Sequence, residues 1–135
     1  MAKNIEYKLD HFGIKVNNLG ASTRFYERNF GFQKIRESDK PELQLKLAVL
    51  QLGDFYLELS QPYSSKDESP QTRKESLPEI LKKAPAHFAI SVDALADMHT
   101  HLSSNGVEFA TTYSSSSKNI FCYDPDGFLI EIKQR

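Results

Sequence analysis

The feature that most constrains this chain is an internal repeat. Leu9-Asp10-His11-Phe12-Gly13-Ile14-Lys15-Val16 is echoed by Ala86-His87-Phe88-Ala89-Ile90-Ser91-Val92, and His11 and His87 stand 76 residues apart. Each segment leads into a helical pattern that stops at a glycine, Gly31 and Gly106, an offset of 75. Each half then closes on an apolar stretch carrying one glutamate, Phe55–Leu59 with Glu58 and Phe128–Ile132 with Glu131, an offset of 73. Three offsets within three residues of one another imply one unit used twice. The halves share pattern rather than identity.

Each unit reads as strand, helix, then two or three strands. Residues 7–16 alternate and predict a strand. Asn17 or Asn18 caps a helix running to about Asn29 and stopped by Gly31. Phe32–Glu37 is a short strand, Leu43, Leu45, Leu47 and Val49 alternate over the next, and 55–60 is the last. In the second half Asp93 is the expected helix cap, with Leu95, Met98 and Leu102 as a buried stripe. Strands are expected near 107–112, 118–123 and 127–133. Asp124-Pro125-Asp126-Gly127 joins the last two as a turn, proline fixing φ and glycine supplying positive φ. Ser64–Ser76 reads as a polar linker, Leu77–Lys83 as a turn or two of helix, and Ser114–Ser117 as a loop.

Composition narrows the function classes. A chain of 135 residues is expected to form a single domain with a real core. Lysine plus arginine number 17 against 18 acids, without a basic cluster, which argues against binding nucleic acid through its phosphates. One cysteine, Cys122, excludes an intramolecular disulfide and a multi-cysteine zinc site, and it fits a reducing compartment. It is expected to be a small buried hydrophobe. No apolar run reaches the roughly 20 residues of a bilayer span, and residues 1–10 lack a signal-peptide pattern, so no membrane partner and a cytoplasmic location are expected.

Chemistry gathers at four side chains. Alternation puts His11 opposite Phe12, Ile14 and Val16, and His87 opposite Phe88, Ile90 and Val92. Glu58 stands opposite Leu57 and Leu59, and Glu131 opposite Ile130 and Ile132. All four therefore leave the core face, at corresponding places in the two units. Two imidazoles and two carboxylates suit Zn²⁺, Ni²⁺, Fe²⁺ or Mn²⁺. On an octahedral ion they leave two adjacent positions, enough to chelate neighbouring substrate oxygens and stabilise an enediolate. His99 and His101 lie two apart on a helix and are expected at the surface. Phe55, Tyr56, Tyr113 and Phe121 are read as core aromatics or as the lining of a cleft.

These segments, together with Ser22-Thr23-Arg24-Phe25-Tyr26, Phe30-Gly31-Phe32 and Tyr123-Asp124-Pro125-Asp126-Gly127-Phe128-Leu129-Ile130-Glu131, resemble the vicinal oxygen chelate superfamily of glyoxalases, bleomycin-resistance proteins and extradiol dioxygenases. The resemblance implies an α+β fold of two βαβββ modules forming a metal-binding cleft. Its expected bounds are 5–62 for the first module, 63–84 for a linker and 85–135 for the second. The ligand order His, Glu, His, Glu is most similar to lactoylglutathione lyase, glyoxalase class I. That implies metal ligands His11, Glu58, His87 and Glu131, with Ni²⁺ or Zn²⁺ ahead of Fe²⁺, Mn²⁺ or Co²⁺. It also implies a hemithioacetal of methylglyoxal and a thiol as substrate, Glu131 as base with Glu58 second, and a homodimer. The family's arginine four residues after the first histidine is Lys15 here, which keeps the charge but loses the fork. Glutathione or another thiol is then held by Lys15, or by Arg24 on the first helix. The alternatives are a methylmalonyl-CoA epimerase-like or dioxygenase-like enzyme, or a metal-free drug-binding resistance protein.

Overall fold

The structure, a computed structural model, describes residues 4–66 and 76–135. The middle of the expected linker, residues 67–75, lies outside the described residues. The chain divides into two compact units at Lys66/Asp67.

The first unit contains β1 (Phe12–Lys15), α1 (Leu19–Phe30), β2 (Gln33–Lys40), β3 (Leu45–Leu52) and β4 (Phe55–Pro62), with a single 3-10 turn at Pro41–Leu43. Its sheet has the order β1-β4-β3-β2, antiparallel except that β1 and β4 run parallel. The strand expected over 7–16 pairs only from Phe12; ahead of it Ile5, Tyr7 and Leu9 are exposed. The helix starts where its cap predicts, with Asn18 Oδ1 accepting from the Ala21 amide at 2.9 Å. It ends on Gly31 at φ 73°, a conformation that favours glycine. Tyr26 and Phe30 on α1 pack with Leu50, Leu57 and Leu59 of the sheet to form the core. Burying each such leucine contributes roughly 1.5–3 kcal/mol.

The second unit contains α2 (Leu77–Lys83), β5 (His87–Val92), α3 (Leu95–Ser104), β6 (Asn119–Tyr123) and β7 (Leu129–Gln134). Its sheet runs β5-β7-β6, with β5 and β7 parallel. It matches the first sheet short of one strand. The segment 107–112, expected as that strand, forms only an isolated bridge between Phe109 and Cys122. The ladder starts, with bonds from Tyr123 N to Glu108 O and from Ala110 N to Phe121 O. It then stops because the Thr111 hydroxyl, not a backbone carbonyl, takes the Phe121 amide at 3.0 Å. Beyond it Tyr113 stacks on His99 at 4.3 Å, drawing the chain onto α3. His99 is thus half-buried between Phe109 and Tyr113 rather than a plain surface residue.

Helix α3 is not capped by Asp93. Its N-cap is Ala94, and Asp93 pairs instead with Arg135 Nε at 2.9 Å. The missing acceptor comes from the neighbouring strand, where Gln134 Oε1 takes the Leu95 amide at 2.8 Å. The first unit repeats this bond, with Gln61 Oε1 accepting from Leu19 N at 2.7 Å. In both units the glutamine lies three residues past the glutamate.

A second apolar cluster, Ile80, Phe121, Tyr123 and Leu129, places α2 on the face of the second sheet that carries His87 and Glu131. That face is therefore partly covered, against the expectation of an open one. Among the described residues no helix is long and apolar enough to cross a membrane.

The β6–β7 turn depends on one buried side chain. Asp124 Oδ1 accepts from the amides of Asp126 at 2.9 Å and Phe128 at 2.8 Å. Its backbone closes the same turn through Phe128 O and Gly127 N. Asp124→Ala would strand these amides at a cost of about 2 kcal/mol and lower the melting temperature by roughly 5–10 °C. Asp124→Asn, which keeps the acceptor, would cost less than half of that; thermal unfolding of both variants checks it. Cys122 is fully buried, and desolvation pushes its thiol up to about 12. On the order of one thiol in ten thousand is then ionised at pH 8. A disulfide-exchange reagent at that pH should label the unfolded chain promptly and leave the native one unlabelled.

Candidate functional site

The parallel strand pair of each unit fixes its histidine and glutamate by register. Glu58 pairs with Gly13, two residues beyond His11, and Glu131 pairs with Ala89, two residues beyond His87. Residues i and i+2 share a face of a strand, so histidine and glutamate become diagonal neighbours on one face. In the first unit His11 Nε2 lies 3.5 Å from Glu58 Oε2. In the second, His87 Nε2 lies 3.4 Å from Glu131 Oε1. Among the described residues no group of three or more His, Cys, Asp and Glu side chains is close enough to hold a metal, so what each unit brings together is a pair.

The surroundings of the two pairs differ. Asp10 Oδ2 takes His11 Nδ1 at 2.7 Å, and this hydrogen bond raises the imidazole above its ordinary pKa. Partial desolvation opposes the rise and the charge of Glu58 adds to it. In the neutral ring a carboxylate on Nδ1 holds the proton there and leaves the Nε2 lone pair on the side of Glu58. In the second unit His87 makes an edge contact with Phe121 at 5.8 Å, and Asn119 Nδ2 donates to Glu131 Oε2 at 3.1 Å. Glu131 is the more enclosed carboxylate, with side-chain exposure of 14% against 26% for Glu58.

Both pairs fit a divalent cation. Their Nε2–O separations exceed the usual range of an N–H···O bond, and each sets an imidazole nitrogen beside a carboxylate oxygen. Neutral imidazole with carboxylate is a donor set for first-row divalent ions.

The first pair opens into a cavity of about 320 Å³ lined by Asp10, His11, Glu58, Tyr56 and Arg36, with Ile35 and Val49 as its apolar wall. Asp10, Arg36 and Asn119 are polar residues of these surroundings that sequence reasoning did not single out. Alternation along β6 would have placed Asn119 beside Glu131. Arg36 carries no such signal, because a bulge between Lys34 and Arg36 shifts the register there.

Lys15 is exposed and shares the face of His11 and Gly13 by alternation. Arg24 does not join the pocket. It lies on the exposed side of α1, with its guanidinium folded against Gly20. That helix covers the sheet face of Leu57 and Leu59, opposite to Glu58. Phe55 and Tyr56 line an adjoining apolar cavity of about 440 Å³. Tyr113 is taken up by His99 and Phe121 by the cluster under α2.

Known proteins resemble this chain in sequence and fold. The lactoylglutathione lyase of Salmonella typhimurium is 29% identical over 133 residues, covering 93% of this chain and 90% of that protein. The trypanothione-dependent glyoxalase I of Leishmania major superposes with a TM-score of 0.77 at 24% identity, over 96% of this chain and 87% of that one. The fosfomycin resistance protein FosX of Listeria monocytogenes superposes at 0.69 with 18% identity, over 97% and 93%. These structures share the fold. The profile of the Glyoxalase/Bleomycin resistance protein/Dioxygenase superfamily matches residues 8–132, nearly the whole chain, and the protein belongs to that superfamily, with its α+β fold.

Proposed function

We propose that this protein is a metal-dependent lyase of the lactoylglutathione lyase type, isomerising the hemithioacetal of methylglyoxal and a thiol. His11, Glu58, His87 and Glu131 are its proposed metal ligands. The observation that carries the reading is the repeated pairing of a histidine with a glutamate set two residues further along the parallel strand, in both units. The curated relatives named lactoylglutathione lyase, at 26–29% identity, support the reaction class.

A bound divalent cation would polarise two neighbouring substrate oxygens and acidify the C–H between them and the sulfur. The chain then has to move one proton between adjacent carbons. Glu131 is the proposed base that takes it and returns it, with Glu58 second. Asn119 holds one oxygen of Glu131 and leaves the other to face His87. Asp10 keeps the His11 ring in the tautomer that a ligand needs. Lys15 is the cation proposed for a carboxylate of the thiol, glutathione or another. The position of Arg24 does not support that role for it. A homodimer belongs to the same reading, supported by the exposed Ile5, Tyr7 and Leu9 ahead of the edge strand β1.

Untagged protein should carry close to one first-row metal ion per chain by mass spectrometry, and His11→Ala and His87→Ala should lose it. Glu131→Gln should lower kcat for hemithioacetal isomerisation by roughly 10²–10⁴. The reading falls if the protein binds none of Ni²⁺, Zn²⁺, Fe²⁺, Mn²⁺ and Co²⁺, or if both histidine variants hold metal as the parent does. Asp10→Ala should weaken the metal by roughly 10–100-fold in a chelator competition, with the fold intact, whereas Asp10→Asn keeps an acceptor for Nδ1–H and should lose less.

A further inference from the structure

We propose that Arg36 anchors a carboxylate on the molecule whose neighbouring oxygens are held at the His11–Glu58 end of the same cavity. The inference deepens the function proposed above and rests on it for the position of those oxygens. Its basis is a change of register in β2. Lys34 pairs with Leu50 and Arg36 with Val49, with Ile35 as the extra residue between them. In an unbroken register Ile35 would pair with Val49 and Arg36 with Ala48, which is fully buried on the helix face of the sheet. The bulge turns the guanidinium onto the opposite face. There one row runs across the sheet from Gly13 through Glu58 and Val49 to Arg36. Arg36 and Glu58 are two strand spacings apart, about 10 Å between backbones.

The chemistry of the cavity selects the ligand. Its acids are committed, Asp10 to His11 Nδ1 and Glu58 to the side of Nε2. Its remaining polar groups are donors. Tyr56 Oη already accepts from Gln51 at 3.3 Å, which leaves its O–H to donate. Among the described residues the Arg36 guanidinium has no hydrogen-bond or ion-pair partner. A fork and a phenol O–H facing an open volume of about 320 Å³ match a planar oxyanion. The spacing of about 10 Å between the Glu58 and Arg36 backbones sets the carboxylate several bonds from the reacting oxygens.

The test is a matched pair of 2-hydroxy acids measured by calorimetry. 2-Hydroxyglutarate and 2-hydroxyvalerate present the same vicinal oxygens, and only the first carries a distal carboxylate. Each is titrated into Zn²⁺-loaded and metal-free protein, and the Zn²⁺ affinity of every variant is measured separately. The parent should bind 2-hydroxyglutarate roughly 10–100-fold more tightly than 2-hydroxyvalerate. R36A should abolish that preference while leaving 2-hydroxyvalerate and Zn²⁺ affinities unchanged, and R36K should keep only part of it. K34A removes a neighbouring cation whose strand position faces the helix side, and it should change nothing. Equal binding of the two acids, failure of both to bind, a preference that survives R36A, or equal loss in K34A would each overturn the proposal. Failure of the parent to bind Zn²⁺, with an Arg36-dependent preference still present in metal-free protein, would sustain the anchor and remove the metal from the proposed function. Tight Zn²⁺ binding with no preference would remove the anchor alone.

Discussion

Everything at the candidate site depends on the parallel pairing between the first and last strands of each unit. A glutamate can stand beside a histidine on the face turned from the main core only if that register is kept. A slip of one residue would send every side chain of the strand to the other face. The leucines and isoleucines that alternate with the glutamates resist it, because Leu57, Leu59, Ile130 and Ile132 would all be driven out of the core. The glutamines add a second lock. Gln61 and Gln134 each accept from the first amide of the helix that follows the histidine strand. Each closes one of the amides that a helix start leaves unpaired, and it ties the glutamate strand to that helix. Burial sets the face, and the glutamine bond sets the position along the strand.

The two units obey this rule and then diverge. The first keeps four strands, and its bulge brings an arginine to a pair that opens into solvent. The second has three strands, and α2 occupies part of the corresponding face. Its glutamate is more enclosed and takes a hydrogen bond from Asn119. A duplicated frame has thus acquired a held carboxylate in one unit and a donor-lined cavity in the other.

Much of the frame was legible because it rests on local physics. The Asn18 cap, the αL glycine at 31, the alternation of β4 and β7 and the Asp124 turn all follow from neighbouring residues, and each forms where expected. The failures share a cause of another kind. Asp93 looked like a cap, but Gln134, 41 residues on in sequence, supplies the acceptor and Arg135 takes the aspartate. The strand at 107–112 had the right composition, yet a hydroxyl from Thr111 and the stacking of Tyr113 on His99 divert it. Arg36 was invisible because period-two counting runs unbroken through β2, whereas the bulge advances the register by one residue. A side chain that acts across the sheet, or an inserted residue, leaves no mark on the periodicity that sequence reading uses.

The residue opposite each glutamate, two places past the histidine, is small in both units. Gly13 stands opposite Glu58, yet its backbone does not demand glycine: φ is not positive, and an added Cβ would meet nothing nearer than Glu58 O at 4.0 Å. The second unit makes the same point by placing Ala89 opposite Glu131. What the two positions share is small volume on the face where imidazole and carboxylate converge. Any longer side chain there would project onto the face that carries the imidazole and the carboxylate. A sheet face selected only for stability would fill that space with a β-branched or aromatic residue, as strands generally prefer. Keeping both positions small forgoes packing energy on the face that carries the histidine and the glutamate.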